Sequence, residues 1–345
     1  MLDILSLTLD ELTEQIILID ELKYRAKQIF TWLHVKKISE FSEMTDIPKA
    51  LIKKLNEKFI LHSYKPTEIF QSFRDNTVKY LFMLSDGEYV ETVVMRYKRG
   101  ISVCVSTQVG CKMGCKFCAS GIAGFIRNLS PGEIVAQIYA AERISAENAA
   151  GVVLMGIGEP LDNFDNTVRF LNVISDKAGR NMSLRHVSVS TCGIVPKIYS
   201  LAELKTGITL SISLHAATDI KRSKLMPVND VYNISALIKA CDEYLKLTGR
   251  RVSFEYSVID GENNSREDAD ALIKLLKTKN CHVNLIPVNS IRETTFHSGK
   301  KSAEAFKLLL TKGGLNVTVR RTLGTDIDAA CGQLRRTKKD TAKVK

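Results

Sequence analysis

The sequence predicts an α/β protein: a partial (β/α)6 barrel preceded by a small helical domain and a β-hairpin linker. Three observations carry this. From about residue 100 onward, short apolar runs alternate with helical patterns, the signature of parallel strands joined by helical crossovers. Before about residue 60, apolar positions recur at helical spacing. Between the two regions, two strand-like runs flank Ser85-Asp86-Gly87. The 345-residue length suits a barrel domain of roughly 250 residues plus a smaller module.

The helical domain is expected over residues 1–65. Asp20 to Leu33 puts Tyr24, Ile29, Phe30 and Leu33 near one face, and Lys23, Arg25 and Lys27 mostly on the other. Pro48 starts a helix from Lys49 to Phe59. The basic helices at 23–37 either present a solvated surface or contact phosphates. Trp32 reads as core rather than as a base-stacking platform. The hairpin, Val78–Leu84 and Tyr89–Met95, forms a linker over 66–98. The barrel spans 99–334, with strands at 101–107, 151–156, 185–190, 207–214, 252–257 and 281–287 and a seventh at 316–320. Its clearest helix start is Ser130-Pro131-Gly132-Glu133: an N-cap, a proline at the first position and a capping-box glutamate. The tail, 335–345, holds six basic residues and one acid, a second candidate phosphate contact.

Hydrophobic residues make up 45% and charged residues 25%, which excludes a disordered chain as the default. No apolar run approaches the roughly 20 residues a bilayer span needs. Met1-Leu2-Asp3-Ile4 shows no basic segment before an apolar stretch, so a cytoplasmic protein without membrane attachment is expected. The net charge of +11 favours a polyanionic partner. Three of the eight cysteines crowd into eight residues, which points to metal binding or catalysis rather than a disulfide scaffold.

Those three, Cys111, Cys115 and Cys118, form a CxxxCxxC loop directly after the first barrel strand. Barrel chemistry sits where strands end. Three thiolates can hold three irons of a four-iron cluster and leave the fourth open. Gly110 and Gly114 let the loop wrap tightly. The competing reading is zinc, with Cys104 as fourth thiolate. Against it, Cys104 lies inside the predicted strand, and the spacing is not a paired CxxC…CxxC. Further segments end successive strands: Gly156–Leu161, Ser188–Gly193, Ser213–Ala216 with Arg222–Pro227, Asn284–Asn289 and Asp326–Leu334. Taken singly, each reads as a turn or helix cap, and His215 as a core histidine. Cys192, Cys241 and Cys281 read as small apolar fillers.

The loop, with Phe117 before its last cysteine, resembles the radical-SAM superfamily (SAM, S-adenosylmethionine). Together with the other segments, the chain up to Leu334 resembles the RlmN/Cfr family of RNA methyl synthases, and Glu159-Pro160-Leu161 its RlmN branch. Ile157 stands where methionine is usual. The resemblance implies one [4Fe–4S] cluster on Cys111, Cys115 and Cys118. It implies SAM at Gly158, Glu159, Ser190, Ser213, Leu214, His215 and Asn289, two molecules being consumed per methylation. One SAM methylates Cys331; the other yields the deoxyadenosyl radical that activates that methyl group. Glu91 accepts the C2 proton, and Cys104 attacks Cys331 to release product, leaving a disulfide. From the residues alone, Glu91 is a plain strand glutamate.

This detour has a chemical reason. C2 of adenine is an electron-poor amidine carbon and does not attack a methyl sulfonium. Cys331 must react as a thiolate, although a free thiol near pKa 8.5 is only a few per cent ionised at pH 7. Asp326 and Asp328 are therefore expected to point elsewhere. The implied partners are 23S rRNA, at an adenine of the peptidyl-transferase centre, and tRNA, at the adenine beside the anticodon. An external electron donor and a disulfide reductant are also implied, and a monomer is expected. Two alternatives remain: C8 methylation, as in the Cfr branch, and a non-catalytic zinc-bearing RNA-binding protein.

Overall fold

The computed structural model describes residues 1–122, 124–289 and 295–334. The basic tail lies outside the described residues. Ten strands form one sheet in unbroken chain order. They are β1 Pro66–Gln71, β2 Val78–Met83, β3 Tyr89–Tyr97, β4 Gly100–Cys104, β5 Ala149–Leu154, β6 Val187–Thr191, β7 Thr209–Ser213, β8 Val252–Val258, β9 Cys281–Pro287 and β10 Val317–Val319. From β4 to β10 every pairing is parallel, so the six expected strand–helix units and the seventh strand are present.

The hairpin expected as a linker is instead part of this sheet. β3 pairs antiparallel with β4 from Val93↔Cys104 to Tyr97↔Gly100, and β1 adds a further antiparallel strand beyond β2. The physical reason is the edge of β4, whose free backbone groups must pair with something. β1 escaped notice because its burial alternates between partial and exposed, so its apolar signal is weak.

Helices cover the parallel strands: α4 Pro131–Ser145, α5 Phe164–Ser175, α6 Val195–Glu203, α7 Ile234–Thr248, α8 Arg266–Leu276 and α9 Lys300–Lys312, after α1 Leu9–Leu18, α2 Tyr24–Thr31 and α3 Lys49–Lys58 of the N-terminal region. α4 starts as expected: Ser130 accepts from the Glu133 backbone in a capping box, with Pro131 in the first turn. α7 ends at Gly249, whose φ of +64° is a left-handed cap.

The N-terminal helices pack on α4. Ser130 Oγ donates to Asp3 at 2.6 Å, and the Gly132 N–H donates to Ser6 Oγ at 2.8 Å. A Cβ on Gly132 would lie 2.3 Å from the Asp3 carboxylate, so a larger residue here would have to displace the Asp3 side chain from Ser130. Ile29, Phe30 and Leu33 are buried as expected, but Tyr24 is 50% exposed. It opens the first turn of α2, and its ring stacks under Arg25 at 4.8 Å instead of reaching the core. Trp32 is half-buried, its indole N–H donating to Asp46 at 2.6 Å. Part of the basic face is engaged internally, since Lys37 pairs with Glu142 at 2.6 Å. Lys23 and Lys27 stay exposed.

Candidate active site

The cluster loop leaves β4 through Val105–Thr107 and a short strand, Gln108–Gly110, paired with Phe125–Asn128. Gly110 has φ +74°, and a Cβ there would lie 1.8 Å from Gly124 O, so only glycine closes this ribbon. Lys116 N–H donates to Leu225 O at 3.0 Å, and Ala119 N–H donates to Gly332 O at 2.7 Å. The second bond stitches the cluster loop to the segment carrying Cys331.

At the C-terminal ends of the parallel strands lies a cleft with about 980 Å³ of open space, walled by Cys111, Cys115, Cys118 and Cys331 among others. Burial pushes the Cys111 thiol up to about 12, and raises Cys115 and Cys118 as well. Such thiols need a bound cation to become thiolates. Among the described residues, no three Cys, His, Asp or Glu side chains converge to hold a single ion. Three thiols spread around one cleft fit a cluster in which each binds its own iron.

The same cleft is also lined by a buried carboxylate, Glu159, and a buried imidazole, His215. Gly158, at φ +107°, brings the loop after β5 against Gln108, where a Cβ would lie 2.6 Å from the Gln108 side chain. The Glu159 N–H then donates to Gln108 Oε1 at 2.8 Å. Each Glu159 oxygen accepts one backbone N–H, from Leu161 at 3.0 Å and Cys192 at 2.7 Å, which aims the carboxylate. Burial raises its pKa, and those two donors oppose the rise. His215 Nδ1 accepts from the Ser257 N–H at 2.8 Å, so a neutral ring carries its proton on Nε2. Burial holds that ring neutral, near a pKa of about 3. The ring meets Phe117 edge-on, centroids 4.7 Å apart.

Beside the cleft, Cys104 ends β4 and is 8% exposed. Burial lifts its thiol to about 12, the neighbouring Cys331 adds to the rise, and Arg320 opposes it. Both cysteines are free thiols. Cys331 lines the cleft together with the three loop thiols and neighbours both Cys104 and Cys118. The chain resembles known proteins over nearly its whole length. The family model of the Radical SAM superfamily matches residues 105–276. The ribosomal RNA large subunit methyltransferase N-terminal domain matches residues 2–61. A probable dual-specificity RNA methyltransferase RlmN of Lachnoclostridium phytofermentans is 50% identical over 99% of this chain and 97% of its own. One from Clostridium botulinum strain Eklund 17B is 52% identical over 97% of each. A crystal structure of a radical SAM methyltransferase from Sphaerobacter thermophilus superposes with a TM-score of 0.94 at 41% identity, covering 97% of this chain and 99% of that one. The chain belongs to the RlmN family of radical-SAM methyltransferases.

Within this family frame, Gly158, Glu159, Ser190, Ser213, His215 and Asn289 all face the cleft. Leu214 does not: its side chain is fully buried in the core, because it follows the bend at the end of β7 where alternate side chains turn inward. Cys192 is buried as expected and also borders the cleft, while Cys241 is buried on α7 itself. Glu91 is absent from the cleft wall; it is buried and ion-paired with Lys79 Nζ at 2.9 Å. Asp326 points away from Cys331, accepting from Ser72 Oγ at 2.8 Å and the Phe73 N–H at 3.1 Å.

Two charged residues of the site, Glu255 and Arg320, were not singled out from sequence, and Arg222 entered only as the first residue of the Arg222–Pro227 segment. Glu255, on β8, faces the cleft with its pKa raised by burial and opposed first by Arg320. Arg320 lies 4.0 Å from Glu255 and is held above the ordinary arginine range first by Cys331. Arg222 is fully buried and donates to Cys192 O at 2.6 Å, Ser213 O at 3.1 Å, Leu214 O at 3.1 Å and Asn229 Oδ1 at 3.1 Å. A glutamate inside the apolar run Val252–Val258 was the available signal for Glu255, since a charge in a buried strand demands a reason.

Proposed function

We propose that this protein is a radical-SAM RNA methyl synthase that places a methyl group on C2 of adenine in 23S rRNA and tRNA. Cys111, Cys115 and Cys118 would hold a [4Fe–4S] cluster, and Gly158, Glu159, Ser190, Ser213, His215 and Asn289 a SAM molecule. When bound, these groups supply the methyl group and a hydrogen-abstracting radical. The chain's own residues do the rest. Cys331 carries the methyl carbon as a thioether and presents it to C2. Glu91 accepts the proton lost from C2. The Cys104 sulfur then attacks the Cys331 sulfur: an S–S bond forms, the S–CH2 bond breaks, and the released carbon takes a proton to become methyl. An external electron donor and a thiol reductant complete the cycle of a monomeric enzyme.

The observation that supports this reading is the position of Cys331, in the wall of the cleft formed by the loop thiols and adjacent to Cys104. A net charge of +11 suits an RNA partner, whose phosphates supply salt-dependent affinity. The target base must leave its stack to reach the cleft. No helix among the described residues is long and apolar enough to cross a membrane.

The deciding experiment is nucleoside analysis of RNA treated with the reconstituted enzyme, expecting 2-methyladenosine. Appearance of 8-methyladenosine alone would overturn the C2 assignment. Cys104→Ala should retain RNA covalently on Cys331, because release needs the second thiol. Recovery of free methylated RNA from that variant at the wild-type rate would remove Cys104 from its role.

A further inference from the structure

The pair formed by Lys79 and Glu91 is unusual for its depth. Both side chains are 3% exposed, and the Nζ–Oε1 distance is 2.9 Å. Stability is a weak reason for such a pair, since apolar replacements of buried ion pairs are often neutral or stabilising. The sheet register shows what the pair is next to. Lys79 on β2 lies opposite Val93 on β3, and Val93 lies opposite Cys104 on β4. Lys79, Val93 and Cys104 thus form one row across three strands. Glu91, two residues before Val93, shares their face and is the diagonal neighbour of Lys79. Ser106 Oγ donates to Glu91 O at 2.7 Å, fixing the backbone beside Cys104.

The same ammonium reaches the other half of the site. Lys79 Nζ donates to Asp328 O at 3.1 Å and lies over the Phe70 ring at 4.9 Å. Asp328, at φ +49°, holds a left-handed turn three residues before Cys331. Two further bonds fasten that segment to the turn between β1 and β2: Asp326 accepts from Ser72 Oγ, and the Gly324 N–H donates to Asp75 at 2.9 Å. The antiparallel extension of the sheet therefore carries the segment that presents Cys331, and Lys79 joins it to Glu91.

We propose that Lys79 is a positioning residue for proton transfer: its ammonium holds Glu91 as an ionised acceptor on the sheet face they share with Cys104. This rests on the reading of Glu91 as acceptor. In the step concerned, the C2–H bond breaks, the proton passes to a Glu91 oxygen and the bonding pair stays in the purine. A carboxylate at this depth needs a counter-charge to remain ionised, and Lys79 supplies one.

The test uses reconstituted full-length enzyme and RNA carrying deuterium at C2 of the target adenine. Lys79→Met should slow 2-methyladenosine formation roughly 10-fold or more, in the range of general-base contributions, and enlarge the isotope effect on it. SAM-dependent methylation of Cys331, which does not use Glu91, should stay within about twofold. Lys79→Arg should restore most of the loss. Equal slowing of both reactions with an unchanged isotope effect would show a merely structural role and overturn the proposal. Glu91→Gln separates the two layers. If it forms product at the wild-type rate, the reading of Glu91 fails and takes this inference with it. If Glu91→Gln is inactive while Lys79→Met matches wild type, only the role of Lys79 is wrong.

Discussion

Replacing Arg222 by methionine tests whether one buried cation holds the strand ends that build the cleft. The guanidinium is 0% exposed and reaches Cys192 O, Ser213 O, Leu214 O and Asn229 Oδ1, all within 3.1 Å. Leu214 O keeps a second donor, the Ala216 N–H at 2.8 Å, so three acceptors lose the most. Each buried acceptor left without a partner costs about 1–3 kcal/mol. Relief of the desolvated charge and local relaxation offset part of that, as burial already lowers the Arg222 pKa. A net loss of about 3–5 kcal/mol follows, comparable to breaking a buried charge network on one side. With an unfolding entropy of about 2.1 cal/mol/K per residue, that is a Tm drop of about 4–7 °C for a 345-residue chain. The assay is thermal unfolding of the cluster-loaded enzyme, with SAM affinity measured alongside, because Cys192 and Ser213 border the cleft. Arg222→Lys should recover part of the loss. A Tm change under about 2 °C for the methionine variant would refute the network's importance.

Other outcomes follow from particular groups. Gly110→Ala should disrupt the cluster loop, because the added Cβ meets Gly124 O at 1.8 Å and the φ is +74°; full iron content and SAM cleavage in that variant would contradict this. His34 is fully buried, with Nδ1 3.0 Å from Tyr139 OH and a folded pKa near 3, lowered by burial from 6.5. The unfolded chain therefore binds this proton first. Its stability contribution is complete above pH 6.5 and is lost as pH falls toward about 3. By pH 5 the loss is about 2 kcal/mol, at 1.36 kcal/mol per unit. Denaturant titrations should show it, and His34→Phe should flatten it; an equal acid slope in both proteins would count against the assignment.

Legibility differed by element for physical reasons. The capping box at Ser130 and the alternation of strands with helices are local signals, and both formed where the sequence placed them. The spare edge of β4 is not local, so the hairpin's membership of the sheet was not visible from its own residues. Tyr24 failed because helical spacing says which residues share a face, not where the core begins. Leu214 shares its motif with Ser213 and His215, but its side chain is buried in the core rather than in the cleft wall. Arg320 gave no signal and Arg222 appeared only as part of a motif, since nothing in a chain marks an arginine as buried until its acceptors are assembled.

The cysteine loop was determined by sequence alone. Its spacing and its glycines are properties of eight or nine consecutive residues, and they suffice to nominate three thiols as the proposed ligands of a cluster. The relation of Cys331 to that loop, to Cys104 and to Arg320 was decided only by the tertiary structure. Cys331 comes long after the loop in the chain, and it arrives there because β10 closes the row of parallel strands and the turn between β1 and β2 holds the segment that follows. Contacts between distant residues depend on how the sheet closes, and no local pattern encodes that closure.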